Sequence, residues 1–213
     1  MENNSGLKKL LKLPFFYRFL MNIFGAKKAA LWLSENFYKV QPGAKITDIG
    51  CGPGSLLRSY KHLFPKDIDY HGIDPCNKYI MSAKKEYGHC ANFYYGTTEN
   101  FQNDIIFKNS DLILCCGVLH HLNDNQVLSL FEFLEFNLKP INGRFLAMEP
   151  VHLLKETSLS RLIMNLDRGR YIRKEPEWKN LLKKSKLNFK TNIITGLIRI
   201  HYNYILIEGT LNV

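Results

Sequence analysis

The fold turns on ITDIGCGPGSLL, residues 46–57. Gly50, Gly52 and Gly54 stand at every second position, straight after an apolar run that carries one acid, Asp48. Glycine inside a strand or helix costs about 0.5–1 kcal/mol relative to alanine, so three together need a backbone reason. Residues 44–50, AKITDIG, read as a strand, and residues 55–64, SLLRSYKHLF, as a helix ended by Pro65. The glycines therefore form the turn between a strand and the helix it opens. In such a turn backbone amides approach a ligand closely, and the helix N-terminus adds partial positive charge.

The same rhythm continues outward. DYHGID (69–74) is a strand and NKYIMSAKKEY (77–87) a helix ended by Gly88. ANFYYG (91–96) and DLILCCG (111–117) are strands, NQVLSLFEFLEFNL (125–138) is a helix stopped by Lys139 and Pro140, and GRFLAMEP (143–150) is a strand. Strands alternating with helices of this length indicate βαβ units and a parallel sheet covered on both faces. The last two strands, FKTNIITG (189–196) and YNYILIEGTL (202–211), are joined by LIRIH. That link is too short for a helical crossover, so the pair is expected to be antiparallel. Residues 1–40 read as helices parted near Gly25, and residues 151–185 break the alternation with a basic, mostly helical stretch interrupted at Gly169 and Pro176. The expected organisation is one α/β domain over residues 1–213, doubly wound, with a helical lid or cap at 1–40 and a helical insertion at 151–185 on the substrate side.

The bulk composition fits a single soluble domain: 213 residues, 46% hydrophobic and 23% charged. Cys51, Cys76, Cys90, Cys115 and Cys116 form no C-x-x-C pair and no zinc spacing, which argues for reduced thiols in a cytoplasmic protein and against a resident metal. The net charge of +10 is uneven: residues 1–40 carry seven Lys/Arg against two Asp/Glu, residues 41–143 nine against eleven, and residues 144–190 twelve against five. Such basic flanks suit a solvated face, an anionic substrate, nucleic acid or a membrane surface. LPFFYRFLMNIF (13–24) is interrupted by Pro14, Arg18 and Asn22 and lacks a small-residue cleavage site, so it reads neither as a secretory signal nor as a transmembrane segment.

Two acids narrow the ligand. A nicotinamide fingerprint, G-x-G-x-x-G, would need glycine at 50, 52 and 55, but Ser55 stands at the last position. Asp74, ending the second strand in GIDP, lies twenty residues beyond Gly54, where a carboxylate accepts hydrogen bonds from both hydroxyls of a ribose. Asp48 would repel a diphosphate, whereas it would suit an aminoacyl sulfonium nucleoside or orient the loop. ITDIGCGPG, YHGIDP, DLILCCGVLHHL and LKPINGRFLAMEP, taken in that order, resemble class I S-adenosylmethionine-dependent methyltransferases over nearly the whole chain. The resemblance implies a seven-stranded sheet in the order 3-2-1-4-5-7-6 with strand 7 antiparallel, and S-adenosyl-L-methionine as cofactor. It also implies that Gly50, Cys51, Gly52 and Gly54 wrap the methionine moiety, that Asp74 with Pro75 beside it holds the ribose, and that Cys116 offers its backbone carbonyl near the methionine end. Many members carry an acid after the third strand for the adenine amino group. Here that place holds Thr97, with Glu99 two positions on, leaving the backbone amide of Thr98 to read the ring.

Methyl transfer from a sulfonium chiefly needs alignment of the acceptor and exclusion of water, with a base for some oxygen and nitrogen acceptors. The candidates are His120, His121 and Glu149, which follow or end strands four and five. At the start of a helix the two imidazoles would point about 100° apart, so only one would face the methyl group; packing, capping or orienting the substrate are their alternative roles. Glu149 reads equally as a solvated strand-end acid. LDRGRYIRKEPEW (166–178) is similar to a D-R-G-x-x-[IV]-R segment of an uncharacterised bacterial subgroup of the family. Its Arg168, Arg170, Tyr171 and Arg173 are the candidates for binding an anionic acceptor, because arginine binds carboxylate and phosphate bidentately. A structural arginine paired with Asp167 or Glu175 is the competing reading. Tyr17, in the N-terminal aromatic stretch, would reach the site if that stretch is a lid rather than a core helix or an interfacial anchor.

The leading reading is methylation at O, N or C of a small molecule such as a metabolite, natural product, sugar or lipid precursor. D/N-P-P-Y sequences and a separate recognition module are absent from the sequence. RNA methylation, a non-catalytic nucleoside-binding scaffold, and an oxidoreductase are the rivals; the basic flanks permit the first, Thr97 favours the second, and Ser55 disfavours the third.

Overall fold

A computed structural model describes residues 39–60, 65, 67–153, 161, 164, 169–196 and 203–212. Residues 1–38 of the N-terminal cap, Tyr17 among them, and residues 154–160, 162–163 and 165–168 of the insertion, Arg168 among them, lie outside the described residues. Seven strands form one sheet: β1 (Lys45–Ile49), β2 (Asp69–Asp74), β3 (Asn92–Tyr95), β4 (Leu112–Cys116), β5 (Arg144–Pro150), β6 (Asn188–Ile194) and β7 (Tyr204–Thr210). Their order is 3-2-1-4-5-7-6. β1 to β5 pair in parallel, and β7 runs antiparallel to both β5 and β6. β6 and β7 thus pair as the length of LIRIH predicts. The helices among the described residues include α1 (Ser55–Tyr60), α2 (Asn77–Tyr87), α3 (Asp124–Asn137) and α4 (Glu175–Leu182).

The sheet has two buried faces because each central strand sends alternate apolar side chains to opposite sides. Ile46, Leu112, Leu114, Leu146 and Leu206 join Tyr70, Leu57, Ile80 and Ala83 in a core on one face, which takes in α1 and α2. Ile49, Ile113, Cys115, Phe145, Ala147, Ile205 and Ile207 join Phe131, Leu134, Trp178 and Leu181 on the other, with α3 and α4. Each large apolar side chain removed from water contributes about 1.5–3 kcal/mol, which is why unbroken apolar runs such as LILCC form central strands.

α3 begins with a reciprocal cap. Asn123 Oδ1 accepts from the Gln126 amide at 3.0 Å and Gln126 Oε1 accepts from the Asn123 amide at 3.1 Å. Two features depart from the sequence expectation. The chain between β3 and β4 forms two short 3-10 turns, Thr98–Phe101 and Ile105–Phe107. Leu119–His121 is also a 3-10 turn, separate from α3.

Candidate functional site

The sheet runs outward in opposite directions from β1 and β4, so the crevice at their carboxyl ends is the topological switch point. Residues 50–54 follow β1 there and residues 117–118 follow β4. The two loops touch: a Cβ built on Gly50 would lie 2.2 Å from Val118 Cγ2. A Cβ on Gly54 would lie 2.7 Å from a ring carbon of Tyr87, so this glycine lets α1 close onto α2. Gly52 differs from both, because the nearest atom to its added Cβ is Ser55 Oγ at 4.0 Å. Its φ of +55° still favours glycine. Two of the three glycines therefore serve close packing, and Gly52 is uncrowded among the described residues.

Asp74 ties this loop to β2. Its Oδ2 accepts from the Gly52 amide at 2.9 Å and its Oδ1 from the Cys76 amide at 2.7 Å, with the residue 7% exposed. A carboxylate offers about four acceptor sites, more than these two bonds use. Asp48 is equally buried and accepts a hydrogen bond from the Tyr70 hydroxyl. Its carboxyl is raised from 3.8 to about 7, chiefly by burial, with the Tyr70 bond opposing and the nearby Asp74 charge adding to the rise. Tyr70 is a partner that sequence reading missed; only its alternation within DYHGID placed it on the Asp48 face. Burial also holds the Cys51 thiol well above its ordinary range, with Asp48 and Asp74 adding to the effect, and does the same at Cys115. Both thiols are therefore protonated and poor nucleophiles.

Pro75 is exposed beside Asp74, and Cys116 is half-buried at the end of β4, register partner of Met148. Beyond β3, the amide and hydroxyl of Thr97 both donate to Asn100 Oδ1, at 2.8 and 3.1 Å, capping the following turn. Thr98 is buried and Glu99 exposed.

The acceptor-side residues depart furthest from expectation. Glu149 is not a solvated strand-end acid, because its side chain is fully buried. Its Oε1 accepts from the amides of Val118 and Leu119 at 2.9 and 3.0 Å, and its Oε2 from the His120 amide at 3.2 Å and His120 Nδ1 at 2.6 Å. With both oxygens engaged inside the fold, Glu149 acts on the β4–α3 loop and on His120 rather than on an acceptor. A carboxylate only accepts, so Nδ1 is the donor of this pair. The two histidine rings also do not diverge; their centroids lie 4.1 Å apart.

Arg173 is likewise turned inward, at 6% exposure. Its Nε and one terminal nitrogen donate to Asp124 Oδ1 at 3.0 and 2.7 Å, and that terminal nitrogen also donates to the Leu122 carbonyl at 2.8 Å. The other terminal nitrogen donates to the carbonyls of Leu119 at 3.1 Å and Tyr171 at 3.3 Å. Arg173, expected to grip an anionic acceptor, is paired with Asp124 and not with Glu175; Asp167 lies outside the described residues. Asp124 reads in sequence only as a first-turn helix acid, which is why the pairing was not foreseen. Arg170 and Tyr171 remain on the exposed side of the segment.

A separate open groove, bordered by Gln102, Glu132, Phe136, Lys186 and Asn212, lies beside the end of β7, which pairs with the start of β5. It is therefore at the edge opposite the glycine loop. Among the described residues no group of three or more His, Cys, Asp and Glu side chains is arranged to hold a metal ion, and no helix is long and apolar enough to cross a membrane.

A protein-family model described as a methyltransferase domain matches residues 47–145. The sequence matches no curated protein significantly. Among solved structures, YcgJ from Bacillus subtilis superposes with a TM-score of 0.64 at 16% identity, covering 87% of this chain and 99% of that one. Human N-acetylserotonin methyltransferase in complex with SAM gives a TM-score of 0.65 at 20% identity, covering 94% of this chain and 56% of that one. Phosphoethanolamine N-methyltransferase 2 from Haemonchus contortus, in complex with S-adenosyl-L-methionine, gives 0.67 at 15% identity, covering 86% and 52%. The chain thus spans about half the length of the latter two, and at these identities the likeness is one of fold.

Proposed function

We propose that this chain, which carries a class I methyltransferase domain, transfers a methyl group from S-adenosyl-L-methionine to an oxygen, nitrogen or carbon of a small molecule. The observation that carries the reading is Gly52: it is uncrowded at the switch point, and its amide is fixed by Asp74. An added Cβ at Gly52 meets no described atom within van der Waals distance, which leaves room beside this backbone for a ligand. Asp48, desolvated and held near a second carboxylate, is the kind of group that a ligand ammonium relieves. Solved proteins of the same fold that carry this cofactor act, by their names, on small molecules.

In this reading residues 50–54, with Cys51, cradle the methionine part, Asp48 balances its ammonium, and Asp74 beside Pro75 accepts from the ribose hydroxyls. The Thr98 amide lies towards the adenine with Thr97 and Glu99, and Cys116 presents its carbonyl near the methionine end. When bound, the cofactor supplies a methyl group already activated on a sulfonium. The protein's own part is to place the acceptor and keep water out, which is worth several kcal/mol. His120 receives a hydrogen bond from the reacting group of the acceptor, with Glu149 fixing which ring nitrogen is basic; His121 packs beside it. Arg170 and Tyr171 meet the outer part of an anionic substrate. Calorimetric titration with S-adenosylmethionine and its demethylated product tests the cofactor, and a mass-spectrometric screen for an extract component one methylene heavier after reaction tests the transfer. A protein that binds neither nucleoside would end this reading.

A further inference from the structure

Residues 117–124 are held from two sides. From β5, Glu149 takes the amides of Val118, Leu119 and His120. From the other side comes the segment before α4. Its Tyr171 amide donates to the His120 carbonyl at 2.9 Å, and Arg173 bonds the carbonyls of Leu119 and Leu122 and the carboxylate of Asp124. The Arg173 guanidinium in turn lies over the Trp178 ring, 4.9 Å from its centroid, so its position is set by α4. Gly169 closes the arrangement. A Cβ there would lie 2.0 Å from His120 Cδ2 and 2.9 Å from Cγ, and the backbone is not left-handed at this glycine. Alanine at 169 is therefore opposed by the imidazole and the neighbouring His120 carbonyl, not by φ.

We propose that residues 169–173 form a positioning strap: Gly169 leaves the space that the His120 ring fills, and Arg173 ties down the loop that carries the ring. The strap thereby fixes how His120 meets Glu149. The proposal rests on the reading above only in giving the His120 ring a partner in the reaction; the positioning itself is independent of it. A lysine cannot replace Arg173, because one ammonium lacks the planar fork that bonds two carbonyls on either side of His120 together with a carboxylate. Among the described residues, Glu149 on β5 and His121 on the same turn face the ring, and Arg173 with Asp124 acts on it through the loop backbone. Arg170 and Tyr171 are the outward side chains of the strap, so an element that meets the substrate is braced against the ring that meets the reacting group.

The test uses the full chain labelled with 15N-histidine. Long-range proton–nitrogen correlation reads the tautomer of each imidazole, and His120 is assigned by the signal lost in His120→Gln. The wild type should show Nδ1 protonated. Gly169→Ala and Arg173→Lys should each replace that single tautomer by a mixture, with circular dichroism unchanged. The stability lost in Gly169→Ala should shrink in the Gly169→Ala/His120→Ala double variant, where the ring is gone. Wild-type His120 nitrogen shifts in both single variants would overturn the strap, and so would a Gly169→Ala loss that is the same with and without the imidazole. With an acceptor from the screen, Gly169→Ala should lower kcat by about a hundredfold, the scale of an ångström's misplacement, and leave cofactor affinity within about twofold. A moved ring with wild-type kcat would keep the strap and remove His120 from the reaction.

Discussion

Replacing Glu149 by glutamine separates what this carboxylate does for the fold from what it does for the imidazole. The wild-type side chain accepts four hydrogen bonds, two on each oxygen. Glutamine keeps a carbonyl oxygen for Val118 and Leu119 but places an NH2 opposite the His120 amide and Nδ1. The ring can answer by moving its proton to Nε2 and accepting at Nδ1; the backbone amide cannot. One buried donor is then orphaned, at about 1–3 kcal/mol, and charge-assisted bonds become neutral ones, so the total loss is about 2–4 kcal/mol. With a urea slope of about 2 kcal/mol/M, the unfolding midpoint should fall by about 1–2 M. Glu149→Ala, which orphans all four donors, should cost more, about 3–5 kcal/mol. In the glutamine variant the His120 nitrogen shifts should report protonated Nε2, and methyl transfer should fall far more than stability does, because the nitrogen offered to the acceptor is now a donor. A Glu149→Gln protein with a wild-type midpoint and Nδ1 still protonated would refute the reasoning.

Three further outcomes follow from the same geometry. Asp74→Ala should weaken S-adenosylmethionine binding by about 2–4 kcal/mol in a calorimetric titration, two charge-assisted bonds at once; unchanged affinity in a folded variant would remove Asp74 from the ribose. Gly52→Ala meets no atom closer than 4.0 Å and should cost only about 1–2 kcal/mol of stability through its positive φ, yet abolish cofactor binding. Gly50→Ala and Gly54→Ala should instead be destabilised by their contacts with Val118 and Tyr87, as thermal melts would show. Asp48 titrates at about 7 in the folded protein, against 3.8 for its ordinary value. The folded state therefore holds the extra proton between these values, and stability should fall as pH rises from about 4 to 7, by about 4 kcal/mol if no other group compensates. S-adenosylmethionine binding should strengthen as pH rises through 7 and release a proton below it, visible as a buffer-dependent heat; pH-independent binding would argue that no ammonium sits at Asp48.

The sheet was legible in the sequence because its cause is local and repetitive. LILCC and FLAMEP bury both faces, the intervening helices have the length a crossover needs, and LIRIH is too short to be one. The glycine turn was legible for a related reason, since a turn that opens a helix straight from a strand end constrains residue types at fixed offsets, and Asp74 bonds its Gly52 amide. The acceptor side was not, because its residues owe their roles to partners far away in sequence. Glu149 looked like a solvated acid until its 29–31-residue contacts to Val118, Leu119 and His120 buried it. Arg173 looked like an anion clamp until Asp124, 49 residues away, was found on the same guanidinium. Among the three glycines the spacing is uniform, but Val118 and Tyr87, arriving from elsewhere, crowd Gly50 and Gly54 and not Gly52. Periodicity is written along the chain, whereas the desolvation and pairing of a buried charge depend on which segments the fold brings against it.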